Sequence, residues 1–261
     1  MVELYEANGE LIDRHKIVGA INKAGVSHGD TVFVHTDISV FGKLRIIDRK
    51  ILLENWTKAL KKSVGQSGTL ILPTFSYSFC EGKTFDVDAS TSLVGVLTEF
   101  FRKQNDVSRT LHPIFSVAIW GDKKDKLLEI GKDAFDENSI FGKLRQEKGK
   151  ILFLGAPFHS CTFTHHLEQM YNVPYRYFKK FYGKIINRDI AYQDECTYFV
   201  RKLDHYSDPS KLGDYLLDNR LMKKVKLGYG SIQMVEAEIF FQTGFRLLDE
   251  DIDFLIRYIQ P

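Results

Sequence analysis

The residues best suited to chemistry stand together in Thr162-Phe163-Thr164-His165-His166-Leu167-Glu168. The apolar run ILFLGAP precedes them almost directly, so the segment reads as a strand exit leading into a helix. If the helix begins near Thr162, the Thr162 hydroxyl caps it and His165 and Glu168, three apart, share one face. A carboxylate beside an imidazole raises its basicity and selects one tautomer, as a general base requires to take a proton from an amine. Spacing alone leaves a blander reading open, a helix-starting histidine with a solvent-facing carboxylate. It also leaves His166 as a competitor, about 100° further round the helix.

The elements that must position these residues are legible as alternating patterns. Residues 11–24, 49–63 and 93–103 carry helical apolar spacing. Short apolar runs at 31–37 (TVFVHTD), 69–76 (TLILPTFS), 116–121 (SVAIWG) and 150–157 (KILFLGAP) read as buried strands. Strand–helix alternation predicts an α/β, three-layer sandwich with a largely parallel central sheet, whose ligands sit at the carboxyl ends of its strands. Those exits are rich in hydroxyls and histidines. After residue 170 the pattern changes. YRYFKKFYGKIINRD, IAYQDECTYFVRKL and KKVKLGYGSIQMVEAEIFF read as strands, and PSKLGDYLLDNRLM and DEDIDFLIRYI as helices. The expected organisation is a 1–170 α/β core that carries the catalytic and binding residues, and a smaller 171–261 α+β portion with antiparallel strands that completes the site.

Bulk properties narrow the class. The chain has 261 residues, 44% hydrophobic and 27% charged, with a formal net charge of +2. Interspersed charges of that balance provide no field for nucleic acid. No apolar run reaches the roughly 18 residues of a membrane span, and the N-terminal stretch is polar and acidic, so a cytoplasmic protein is expected. Cys80, Cys161 and Cys196 are odd in number and show no C-x-x-C spacing, which fits neither a disulfide framework nor a structural zinc site. The basic, aromatic stretch 175–184 reads as a strand edge or subunit contact, consistent with a homodimer, rather than an RNA platform. Gly228-Tyr229-Gly230 reads as a turn.

Several motifs in order resemble the aminoglycoside 3-N-acetyltransferase family. They are Val34-His35-Thr36-Asp37-Ile38-Ser39 with Phe41-Gly42; Gly68-Thr69-Leu70 through Pro73-Thr74-Phe75-Ser76; Phe85-Asp86; and Gly95 to Arg102. Arg109-Thr110-Leu111-His112-Pro113 with Ser116, Leu154-Gly155, the Thr162–Glu168 segment and Val173-Pro174-Tyr175-Arg176 complete the set. The resemblance implies a coenzyme A-dependent N-acyltransferase outside the GNAT fold, using acetyl-CoA or another acyl-CoA and no metal. It maps the base to His165, the only histidine of the pair with a glutamate three residues on, and makes Glu168 its partner. It implies direct transfer from thioester to amine.

On that reading His35, Thr36, Asp37, Ser39, Phe41, Gly42, Arg109, His112 and Ser116 face coenzyme A. The loop 36–43 offers hydroxyls, backbone N–H groups and a glycine that permits close approach, and cations suit the phosphates. Tyr77, Glu81 and Asp86 lie after the second strand, where acidic and aromatic groups would receive a cationic amino sugar. Three departures bear on the acceptor: Thr36-Asp37 where two serines are usual, Cys161 where asparagine is frequent, and His166-Leu167 in place of leucine-alanine. They favour a nucleotide-linked amino deoxysugar over an aminoglycoside antibiotic. Two other classes stay in view: a metal-dependent hydrolase using His35, His112, His165 and Asp37, and a non-catalytic binding module. A Cys161 thioester route is a variant within the enzyme class.

Overall fold

The computed structural model describes residues 2–203 and 205–258. Its first half holds β1 (Glu3–Ala7), β2 (Glu10–Asp13), α1 (Arg14–Ala24), β3 (Thr31–Thr36), β4 (Lys43–Leu44), α2 (Arg49–Val64), β5 (Thr69–Pro73), β6 (Phe85–Asp86), α3 (Val96–Arg102), β7 (Ser108–Arg109) and β8 (Val117–Gly121). There follow α4 (Lys124–Leu128), α5 (Ile140–Gln146), β9 (Lys150–Leu154), α6 (Phe163–Tyr171), β10 (Arg176–Asn187), β11 (Ile190–Arg201), β12 (His205–Ser207), α7 (Ser210–Asp218), β13 (Lys223–Leu227), β14 (Gly230–Glu236), α8 (Ala237–Glu250) and β15 (Ile256–Tyr258).

A seven-stranded sheet, ordered β13-β14-β9-β3-β5-β8-β7, divides the molecule. The central strands β9, β3 and β5 are parallel, and every pairing outward of them is antiparallel. The expected parallel arrangement therefore describes the three strands that carry the site. Both faces are covered, as continuous apolar strands require. Phe33, Ile71, Ile151 and Phe153 face a core shared with α5, α6, α7 and α8. Their neighbours Val32, Leu70, Leu72 and Leu152 face a second core shared with α1, α2 and α3. Each such side chain taken from water contributes about 1.5–3 kcal/mol before entropy costs.

The long β10–β11 hairpin pairs in unbroken register from Arg176↔Arg201 to Asn187↔Ile190. It stands on the first core through Ile185, Cys196 and Phe199. β6 adds to its far end in parallel, with Ile185 opposite Phe85. The described residues after 170 thus divide among this hairpin, the edge of the main sheet, where β13 and β14 lie, the β12–β15 pair, and α7 and α8.

Two expected helices shift. The one expected from residue 11 begins at Arg14, because Glu10–Asp13 pairs with β1 and Asp13 accepts from the Lys16 N–H as a cap. The one expected over DEDIDFLIRYI is displaced: the helix is α8, and the described part of that stretch ends in β15, paired antiparallel with β12. Among the described residues no helix is long and apolar enough to cross a membrane.

Candidate active site

Eight residues separate the end of β9 from the start of α6, and the start of that helix delivers the pair. His165 Nδ1 lies 2.7 Å from Glu168 Oε2, with the imidazole 23% exposed and the carboxylate fully buried. An ionised carboxylate can only accept, so Nδ1 carries the proton and Nε2 keeps its lone pair. Thr162, the expected cap, makes no capping hydrogen bond.

His166 does not compete for this role. It is fully buried, and its Nδ1 donates to the Phe135 carbonyl oxygen at 2.7 Å. Burial lowers its pKa to about 4, so it is a neutral core residue.

A third group, read from the sequence only as the end of the Val173–Arg176 motif and part of the basic 175–184 stretch, joins the pair. Arg176, at the start of β10, sets its Nε 2.8 Å from the same Glu168 Oε2 and its Nη2 2.9 Å from His165 Nδ1. Its remaining contacts are the Phe199 carbonyl oxygen and Ser207 Oγ, both at 3.0 Å. Burial pushes the Glu168 carboxyl up, but the Arg176 charge and the His165 hydrogen bond outweigh it and hold the group below its ordinary value. His165 is lowered, first by burial and then by the Arg176 charge, against the pull of Glu168. The result is a neutral, Nε2-basic imidazole.

Aromatic rings connect this pair to the strand exits. Phe135 meets His165 edge-on at 5.3 Å, Phe115 lies 4.8 Å from Phe135, and Tyr77 lies 5.7 Å from Phe115. Tyr198 of β11 packs against both phenylalanines. Tyr77 also lines a cavity of about 290 Å³ bounded by His35, Thr36, Asp37, Ser160 and Thr162. Its backbone is left-handed, φ 52°, an uncommon conformation for a non-glycine residue that tends to mark functional sites. His35 stacks on Phe153, its Nε2 is buried without a hydrogen-bond partner, and burial lowers its pKa to about 3.

The other expected coenzyme A residues do not line that cavity. Ser39 is folded back, its Oγ and N both on Asp37 Oδ1. Phe41 is fully buried between Tyr5 and Trp56. Gly42 is required by packing, since a Cβ there would lie 2.7 Å from the Glu6 carbonyl oxygen. Arg109 spends its guanidinium on the carbonyl oxygens of Thr74, Val87 and Ser90 and on the Thr74 and Ser116 hydroxyls. Ser116 donates to the Thr74 carbonyl oxygen, and His112 Nδ1 accepts from the Ile114 and Phe115 amides. Arg109 and Ser116 fasten the 109–117 segment to the exit of β5, His112 braces the segment from within, and none of the three borders the His35 cavity. On the acceptor side only Tyr77 lines the cavity. Glu81 forms an exposed ion pair with Lys83, and the Asp86 carboxylate accepts from the Asp88 and Ala89 amides.

The metal grouping does not form: no three His, Cys, Asp or Glu residues gather as ligands among the described residues. Cys161 is buried and its thiol is pushed up to about 12 by burial, which removes the thiolate a thioester route needs.

The family profile for aminoglycoside 3-N-acetyltransferase matches residues 33–249. The chain is 28% identical over 199 residues to the SPbeta prophage-derived aminoglycoside N(3')-acetyltransferase-like protein YokD of Bacillus subtilis, covering 67% of this chain and 68% of that protein. It is 24% identical over 244 residues to aminoglycoside N(3)-acetyltransferase IV of a Salmonella species, covering 90% and 87%. The fold superposes on AAC-IIIb, solved as a binary complex with CoASH, with a TM-score of 0.78 over 96% of this chain and 98% of that one, at 21% identity.

Proposed function

Because the chain belongs to the aminoglycoside 3-N-acetyltransferase family, we propose that it transfers an acyl group from acyl-coenzyme A to an amine of an aminoglycoside, with His165 as general base. The enzyme is an acyl-CoA-dependent N-acyltransferase, as its family and relatives are named. The observation that carries the site assignment is the Glu168–His165 contact with Nε2 left free.

The acceptor amine loses a proton to His165 Nε2 and attacks the thioester carbonyl carbon. The C–N bond forms, the C–S bond breaks, and the departing thiolate takes up the proton that balances the step. Glu168 stabilises the imidazolium while it lasts. The His35–Thr36–Asp37 cavity suits the pantetheine arm, which alternates amides with methylenes. It offers an unpartnered buried imidazole nitrogen, hydroxyls at Thr36, Ser160 and Thr162, and the apolar wall of Phe75 and Val94.

Relatives named for aminoglycosides support that acceptor over the nucleotide-linked amino deoxysugar favoured from the motif departures. The carboxylates expected to greet a cationic sugar make local contacts here, Glu81 with Lys83 and Asp86 with the Asp88 and Ala89 amides. The test is free-thiol release from acetyl-CoA with a panel of aminoglycosides and nucleotide-linked amino deoxysugars. Acceptor-dependent release is expected with an aminoglycoside, falling about 10²–10⁴-fold in His165→Ala. Release unaffected by that substitution would remove His165 from the role.

A further inference from the structure

We propose that Arg176 is the positioning residue that keeps His165 an unprotonated base at neutral pH, by occupying the one positive charge the buried cluster tolerates. This deepens the assignment of His165 above and rests on it.

The geometry is specific. Arg176 and Glu168 side chains are 2% and 0% exposed, and the guanidinium is held from three strands: its own β10, Phe199 of β11 and Ser207 of β12. Glu168 Oε2 thus receives two partners, Arg176 Nε at 2.8 Å and His165 Nδ1 at 2.7 Å. With Nδ1 protonated toward Glu168, the Arg176 Nη2 at 2.9 Å acts on the ring as a neighbouring charge. A buried cluster is cheapest when its charges sum to zero. Arg176 positive, Glu168 negative and His165 neutral meet that condition. Protonating His165 would bring a second cation into contact with the first.

Other ionisable groups lie around the cluster. Tyr198 of β11 and Tyr175, which borders Glu168, are both held neutral by burial, which raises their hydroxyls. His205 of β12 packs on the Tyr175 ring, and Asp253 acts on Tyr175 from beyond α8. On the Phe135 loop, the Asp133 carboxylate is committed to Gln169 Nε2 and to backbone amides, and Asp136 sits beside it. A general base needs its lone pair available at working pH, and the guanidinium, which never deprotonates, holds that state without titrating itself.

Removal of the cation reverses the balance. In Arg176→Gln the cluster becomes net negative unless His165 takes a proton, so the His165 pKa rises, by about 1–3 units. The acidic limb of kcat/KM moves to higher pH by the same amount, and activity recovers on the alkaline side. Arg176→Lys keeps a cation and is expected to keep the limb near its wild-type position, with lower kcat from the lost fork geometry.

The experiment is a pH titration of 15N-labelled histidines by NMR on wild type, Arg176→Gln and Arg176→Lys, with His165 assigned through His165→Gln. It requires no acceptor, so it stands apart from the acyl-transfer assay. In the wild type a neutral His165 with a pyridine-like Nε2 at pH 7 is expected, and an imidazolium at that pH overturns the proposal even if no variant folds. In a folded Arg176→Gln an upward shift supports it. An unshifted titration, with activity lower by the same factor at every pH, makes Arg176 merely structural and overturns it.

Discussion

The exits of the central parallel strands and the β10–β11 hairpin meet at His165, and they contribute different things. The exits bring reactive and ligand-facing groups: His165 itself, the His35 cavity and the hydroxyls around it. The hairpin brings no nucleophile or base. It brings Arg176, the Phe199 carbonyl oxygen that accepts from it, and Tyr198 against the aromatic wall. On the proposed reading, the region that performs the proton transfer is separate in sequence from the region that sets its protonation state. A substitution in either should damage turnover, but with different signatures.

The largest effect expected in that comparison is at Glu168. Glu168→Gln leaves Arg176 as an uncompensated buried cation beside the imidazole, so protonated His165 becomes still less favourable and the base weaker. A fall in kcat of about 10² or more is expected at every pH, without the alkaline recovery foreseen for Arg176→Gln. The adjacent histidine provides the internal contrast. His166→Gln loses the bond to the Phe135 carbonyl oxygen and should cost about 1–3 kcal/mol of stability while leaving kcat/KM nearly intact. Thermal melts and initial rates on the two variants separate the roles. Equal losses of activity in both would erase the distinction between the two faces of α6.

A smaller effect is spread over the strand exits. His35, His112 and His166 are buried neutral, with pKa values lowered to about 3, 4 and 4 by burial. The unfolded chain titrates near 6.5, so between that pH and 4 it binds more protons than the folded one. Stability then rises with pH across this window and is lost as pH falls, by about 1.4 kcal/mol per unit per histidine at most. Melting temperature measured from pH 7 to pH 4 should drop steadily. His112 Nδ1 only accepts from two backbone amides, and His112→Gln should flatten the slope by about a quarter if it, His35, His166 and the likewise lowered His165 act equally. A flat profile in the wild type would mean that these imidazoles reach solvent.

The same division explains what was legible in the sequence. The exits follow apolar runs bounded by polar residues, and the three central strands fall where those runs are. His165 and Glu168 lie within one helical turn, so local spacing carries their contact. Arg176 comes eight residues after Glu168 with no spacing rule to bind them. Their contact depends on where β10 leaves the first core, which is tertiary information. Arg109, His112 and Ser116 sit in a conspicuous motif, yet the carbonyl oxygens that absorb Arg109 belong to Thr74, Val87 and Ser90, distant positions that the motif does not name. One missed element did have a local signal. Asn8-Gly9, both at positive φ, forms the tight turn that pairs β1 with β2 and moves the start of α1 to Arg14.

The smallest expected effect tests where the acceptor's positive charge is met. Asp86 reads, from sequence, as a substrate carboxylate on the exit of the second strand. In the structure it sits at the far, turn end of the hairpin, in β6 opposite Ile186, and Oδ1 accepts from the Asp88 and Ala89 amides at 2.9 and 2.8 Å. Arg102 and Arg109 hold the same loop through the carbonyl oxygens of Asp88, Val87 and Ser90. An Asp86→Asn side chain keeps one oxygen able to accept from those amides and loses only the charge. A turn role then predicts a stability loss of about 0.5–1 kcal/mol and an acceptor KM within about twofold of wild type. A substrate role predicts the reverse, an unchanged melting temperature with an acceptor KM raised about tenfold, since one close charge pair is worth about 1.4 kcal/mol or more. Measuring both quantities on one variant decides whether the hairpin side of the molecule touches the acceptor directly or acts on the reaction only through the charge it holds beneath His165.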